Sequence, residues 1–153
     1  MKALLQRVLR SGVEVEEEQV ARIDRGLLVL LGIGHQDNEE TCRAMASRVA
    51  RLRVFDDDQG KMNLSLLDTG GSALVVSQFT LYADTSRGLR PSFTNACPPE
   101  RAHQLYERFA SELGYLGVKT GTGRFGARMQ VSLVNDGPVT IMLEEPEARP
   151  EAS

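Results

Sequence analysis

The stretch Ser77-Gln78-Phe79-Thr80 places three polar side chains inside an otherwise apolar segment, ALVVSQFTLYA at 73–83. Hydroxyls and an amide so placed are either satisfied within a sheet or offered to a ligand from a pocket wall. Left unpartnered in a buried setting they cost roughly 1–3 kcal/mol each. Read as a strand, the segment puts Gln78 and Thr80 on one face and Ser77 on the other. Thr80 is the nucleophile candidate, but an isolated hydroxyl is weak at neutral pH and needs an adjacent base. The chain has two histidines, His35 and His103, far apart in sequence. A Ser-His-Asp triad and a zinc site are both poorly supplied, and no metal is expected.

Three further motifs invite chemistry. Gly121-Thr122-Gly123-Arg124-Phe125-Gly126 matches G-x-G-x-x-G, but a dinucleotide fingerprint requires a helix after its last glycine. Ala127 onward alternates like a strand, so the motif reads as a glycine-rich entry to a strand. Arg124 and Phe125 then stand at an exposed tip able to stack a base, or Phe125 belongs to the core below a surface turn. Asp56-Asp57-Asp58 lacks the glycine and glutamate of a calcium loop, since Lys61 and Leu67 hold those positions, and reads as a solvated turn. Asn135-Asp136-Gly137-Pro138 joins two apolar runs. It is either an ordinary Asp-Gly turn or a turn built on a cis Gly137-Pro138 bond.

These groups need a scaffold. The 153 residues, 41% hydrophobic and 25% charged, suit one domain large enough for a real core. Cys42 and Cys97 form no C-x-x-C, and the N-terminus interrupts any apolar run early with Gln6 and Arg7. These features predict a soluble, cytoplasmic protein with two resting thiols and no membrane segment. Residues 2–10 and 13–20 read as a hairpin about Ser11-Gly12, and 26–34 as a strand buried on both faces. Asp37, with Glu40 three residues on, predicts the capped start of a helix ending near Arg53. A second helix opens at Pro98-Pro99-Glu100 and stops at Gly114. Strands are expected over 73–83, 127–134 and 139–143, and a frayed tail from Pro146. The class is α+β: one domain over 1–145, mostly antiparallel or mixed sheet, two main helices and no regular βαβ alternation.

Taken together and in order, SQFTLYAD at 77–84, NDGPVT at 135–140, GRFGARMQV at 123–131, KMNLS at 61–65 and RPSF at 90–93 resemble the D-aminoacyl-tRNA deacylases. The resemblance runs to about Glu145; Leu89 departs from the polar or basic residue common there. It implies hydrolysis of the ester linking a D-amino acid, or mischarged glycine, to the 3′-terminal adenosine of tRNA. It implies a homodimer without cofactor, in which Gly137-Pro138 of one subunit enters the other's pocket and rejects L-amino acids sterically. Ser77, Gln78, Phe79 and Thr80 would then line the reacting end. Thr80 would position the ester, backbone N–H groups near Phe79 and Thr80 would meet the oxyanion, and the ribose 2′-hydroxyl would assist. Phe125, Gly126 and Met129 would hold the adenosine, with Ala102 keeping the pocket small.

The formal charge of −3 does not oppose an RNA partner. Within 85–135, Arg87, Arg90, Arg101, Arg108, Lys119, Arg124 and Arg128 face only Glu100, Glu107 and Glu112. This local basic rim predicts contact confined to the acceptor end of aminoacyl-tRNA, with no DNA partner. Two other readings compete: a non-catalytic RNA- or ligand-binding homodimer using the Arg124-Phe125 loop, and a structural homodimer in which Gly137-Pro138 only shapes a turn.

Overall fold

Strand β1 (Lys2–Val15) carries the sheet, because three other strands pair with it. In the computed structural model, which describes residues 1–146, β8 (Gln130–Glu144) runs antiparallel along one edge of β1 from Lys2 to Glu14. The other edge is shared: β3 (Gly26–Gly32) pairs with Lys2 to Val8, and β2 (Glu18–Ile23) with Ser11 to Val15. Beyond β3 the sheet continues in parallel through β6 (Ser72–Ser77) to β7 (Lys119–Thr122). Helix α1 (Glu39–Arg51) lies in the crossover from β3 to β6, with a small hairpin, β4 (Phe55–Asp56) and β5 (Met62–Leu64), and the short helix α2 (Leu66–Thr69). Helix α3 (Pro99–Tyr115) lies in the crossover from β6 to β7.

Alternation divides the core into two layers. Leu5, Leu27, Val29, Leu31, Ala73 and Val75 face α1 and α3, where Met45, Val49, Phe109 and Leu113 fill the space between. Val8, Val13, Ile23, Leu28, Leu74 and Val76 point the other way. Strand β2 folds back over them: a Cβ on Gly121 of β7 would lie 3.8 Å from both Ala21 and Ile23. The sheet is thus partly rolled around its second layer, and β3 is buried on both faces as its unbroken apolar sequence predicts.

Several expectations are corrected. The first hairpin turns at Glu16-Glu17, both at positive φ, so Ser11-Gly12 lies inside β1. Asn38 caps α1 in a capping box with Thr41, while Asp37 is buried and accepts hydrogen bonds from the Met1 ammonium (2.8 Å) and from the Gly34 amide (2.7 Å). Helix α3 passes Gly114 and is stopped by Gly117 at φ 100°. The strand expected over 73–83 ends at Ser77, where Phe79–Tyr82 turns into a 3-10 helix. The strands expected at 127–134 and 139–143 are one strand, β8, interrupted by a bulge at Asn135–Val139. The sheet is mixed, with both parallel pairings spanned by helices, so βαβ crossovers are present after all. The expected tail, 146–153, lies outside the described residues beyond Pro146. Among the described residues no helix is long and apolar enough to cross a membrane.

Of the glycines, Gly26 leaves the least room for a side chain. It sits at φ 158°, and a Cβ there would lie 1.8 Å from the carbonyl oxygen of Ser72, at the start of the β3–β6 pairing. Gly26→Ala is expected to cost more than about 3 kcal/mol, read as a lower urea midpoint or as failure to fold.

Candidate active site

The end of β6 opens onto a pocket of about 430 Å³ lined by Ile33, Ser77, Phe79, Phe93, Ala96, Cys97, Pro98, Pro99, Ala102, Phe125, Gly126, Ala127 and Met129. Six of the residues singled out from sequence meet here: Ser77, Phe79, Ala102, Phe125, Gly126 and Met129. The lining carries no charged side chain. It is mainly apolar, with Ser77 and Cys97 as the polar side chains.

Each wall has an identifiable support. Ile33 and Ala96–Pro98 are joined where the Cys97 amide donates to the Ile33 carbonyl (2.9 Å) and Gly34 bridges to Ala96. The turn carrying Ile33 is held by the buried Asp37 carboxylate, and Arg101 donates to the Asp37 carbonyl (2.8 Å). The glycine-rich loop opposite is tied to β6 where the Gly123 amide donates to Val75 (2.9 Å). The buried Tyr106 hydroxyl donates to the Val75 carbonyl (3.0 Å) and lies 3.3 Å from that of Gly123. Burial pushes that phenol up to about 12, so it remains a donor throughout the physiological range.

Phe125 is half-buried, between the exposed tip and the core position that the sequence left open. Its ring stacks on His103 (centroids 4.5 Å apart, planes 3° apart) and leans on Tyr106, and it borders the pocket. Of the expected tip, only Arg124 is exposed. A strand, not a helix, follows Gly126, as the rejection of a dinucleotide site requires.

Gln78 and Thr80 do not line the pocket. The 3-10 turn replaces the predicted strand alternation, yet it brings their side chains together: the Gln78 amide donates to the Thr80 hydroxyl. Neither histidine serves Thr80. His35 contacts the Thr94 carbonyl, and His103 faces Glu107 at 3.0 Å. The first hydrogen bond of the turn runs from the Leu81 amide to Gln78 (3.2 Å). The amides of Phe79 and Thr80 precede it, so the turn gives them no acceptor.

Gly137 and Pro138 are joined by a cis peptide bond and both are exposed. They belong to the bulge in β8, opposite Arg7. Arg7 aligns with Leu27 and Ala73, whereas Ser77 aligns with Leu31 and Ala3. The dipeptide is therefore roughly 13 Å along the strands and roughly 14 Å across them from the pocket of its own chain. Asn135 donates to the carbonyls of Arg7 and Val139 (both 3.0 Å), and Arg7 donates to the Asp136 carbonyl (3.1 Å), so the bulge is tightly held beneath its exposed tip. Among the described residues no cluster of His, Cys, Asp and Glu could hold a metal ion.

Phe93, Cys97 and Pro98-Pro99 are pocket residues that sequence reasoning did not assign. Phe93 lay within RPSF and Pro98-Pro99 within the helix start, but nothing local showed that these segments converge on Ser77.

The comparisons with known proteins agree along the chain. The family model described as D-Tyr-tRNA(Tyr) deacylase matches residues 4–144. This chain belongs to that family. A D-aminoacyl-tRNA deacylase from Roseiflexus castenholzii is 58% identical over 94% of the chain and 92% of its own length. One from Roseiflexus sp. strain RS-1 is 59% identical over 94% and 93%. A solved structure, the c-Myc DNA Unwinding Element Binding Protein, superposes with a TM-score of 0.91 at 43% identity, covering 96% of this chain and all of that one.

Both cysteines are buried, Cys42 in the core and Cys97 in the pocket wall. Burial raises both thiols above their ordinary value, Cys42 to about 11. The reactive thiolate is thereby scarce at neutral pH. At pH 8 the folded protein is expected to react with a disulfide reagent far more slowly than the urea-unfolded chain, which should show both thiols at once.

Proposed function

We propose that this protein hydrolyses the ester bond of D-aminoacyl-tRNA, and of mischarged glycyl-tRNA, releasing the amino acid and tRNA. The observation that carries this reading is the meeting of Ser77 and Phe79 with the glycine-rich loop on one uncharged pocket, in a chain that fits the deacylase family over residues 4–144. The apolar lining with Phe125 on its border suits the terminal adenosine. Phe79 and Ser77 bring the reacting turn to the same cavity.

The chemistry is addition of water to the ester carbonyl, followed by expulsion of the ribose 3′-oxygen, which takes up a proton. The amides of Phe79 and Thr80 serve the oxyanion that develops on the carbonyl. Thr80 lies outside the pocket lining, with its hydroxyl bonded to Gln78 and no neighbouring base, so its role is to position the turn that carries Phe79 to the ester instead of attacking it. The vicinal 2′-hydroxyl of the substrate assists proton transfer.

Chirality requires a wall where an L side chain would stand. The reading assigns that wall to Gly137-Pro138 of a second copy, in a homodimer. Three features support it. The dipeptide is exposed, it is held from below, and it lies too far from its own pocket to serve it. A backbone wall excludes L esters without contacting a D side chain, so glycyl esters, which have nothing to clash, also pass.

The direct test incubates the purified protein with D-Tyr-tRNA and L-Tyr-tRNA. Rapid loss of the D ester with the L ester untouched is expected; equal rates, or no hydrolysis of the D ester, would refute the reading. Under a non-catalytic RNA-binding role, tRNA would bind in a salt-dependent way with no change in ester lifetime. Thr80→Ala is expected to retain substantial activity, within about tenfold of the parent, as for removal of one positioning hydrogen bond. Abolition with the fold intact would make Thr80 the nucleophile.

A further inference from the structure

The pocket holds no charge, yet a terminal nucleotide arrives attached to a phosphate. That charge must be met outside the pocket, on a surface continuous with it. The loop from Asp84 to Phe93 has the required composition. Phe93 is 37% exposed and packs edge-to-face on Phe79, itself 55% exposed, with ring centroids 5.1 Å apart; both line the pocket. Two large aromatic rings are thus left half in solvent at the mouth of an apolar cavity. Aromatic faces so placed stack bases with little regard to sequence, at roughly 1–3 kcal/mol per base.

Basic residues stand on the same loop. Asp84 and Ser92 exchange backbone hydrogen bonds (2.7 and 2.9 Å), which pins the loop base beside Phe93. The Asp84 carboxylate is engaged by the Ser86 amide and hydroxyl (2.9 and 2.6 Å), which hold it below the usual carboxylate range. It makes no ion pair with Arg87 or Arg90, and among the described residues neither arginine has a hydrogen-bond or ion-pair partner. Leu89, between them, is fully exposed.

We propose that the Asp84–Phe93 loop is the contact surface for the single-stranded 3′ end of tRNA just before its terminal adenosine. Phe93 stacks a base preceding the adenosine, and Arg87 and Arg90 meet the intervening phosphates. The proposal rests on the deacylase reading and names the part of the substrate recognised beyond the pocket.

The test compares two substrates that differ only beyond the terminal nucleoside: D-Tyr-tRNA and the D-tyrosyl ester of adenosine. With R87Q/R90Q, kcat/KM for the tRNA ester is expected to fall about tenfold or more at low salt, chiefly through KM. The salt dependence of tRNA binding should also flatten, by about one unit of log–log slope for each phosphate no longer bound. The adenosine ester should stay within about twofold of the parent. Phe93→Ala should widen the gap between the substrates, and Phe93→Trp should restore the tRNA ester, a rescue that a merely structural role would not give. Equal losses on both substrates, no loss on either, or a loss found only with R124Q/R128Q would overturn the proposal. A parent protein inert on both esters would instead refute the deacylase reading.

Discussion

A guanidinium buried in the middle of the longest strand pair governs how the two halves of this molecule meet. The Arg7 side chain is 8% exposed. It donates to the carbonyls of Val54 (2.7 Å) and Asp136 (3.1 Å) and pairs with the carboxylates of Asp56 and Asp136. A charge so placed is tolerable only when its donors are occupied, here by two backbone carbonyls and two partly exposed carboxylates. The bulge in β8 supplies the carbonyl and carboxylate of Asp136. The segment after α1 supplies Val54 and Asp56. Arg7 therefore fixes where β8 leaves the ladder, and so where Gly137 and Pro138 face solvent.

Asp37 plays the corresponding part for the pocket. Its buried carboxylate holds the Met1 ammonium and the Gly34 amide, and its backbone carbonyl receives Arg101 from α3. The turn after β3, the start of β1 and the start of α3 are thereby brought to one point beside Ile33 and Cys97. Pocket and bulge lie at opposite ends of the β1–β3 pairing, each secured by a buried ionic group and linked by the strands between them. The proposed catalysis uses this separation: each chain offers a pocket at one end and an exposed wall at the other, an arrangement that a twofold axis can close on itself.

Much of this was legible in the sequence because it is local. The periodicity of Cys42, Met45, Ala46 and Val49 marks α1, the unbroken apolar run marks β3, and the strand after Gly126 excludes a dinucleotide fold. The misreadings arose where a tertiary partner overrode a local signal. Asp37 resembles a cap, but the Met1 ammonium and the Gly34 amide claim its carboxylate, leaving Asn38 to cap the helix. Asn135-Asp136-Gly137-Pro138 resembles a hairpin turn, but β1 runs past it on both sides and makes it a bulge. Ser77 to Thr80 resembles a strand, but β6 loses its neighbour β7 beyond Val75 and the chain turns. Phe93, Cys97 and Pro98 reach the pocket only because the Gly34–Ala96 bridge carries them there, a pairing that no local pattern announces.

The central claim, that a pocket on one chain is completed by Gly137-Pro138 of another, is tested most directly by subunit complementation. Gly137→Val distorts the wall, since Gly137 sits at φ 130° and a Cβ there would lie 2.8 Å from a Val139 methyl and 3.1 Å from the Arg7 guanidinium, and Ala102→Phe fills the pocket; each is expected to abolish hydrolysis of D-Tyr-tRNA. After unfolding and refolding the two variants together at equal amounts, half of all dimers would be mixed, each with one sound site, restoring about a quarter of the parent activity. No recovery in a mixture that demonstrably forms mixed dimers, or full activity of Gly137→Val alone, would contradict the account.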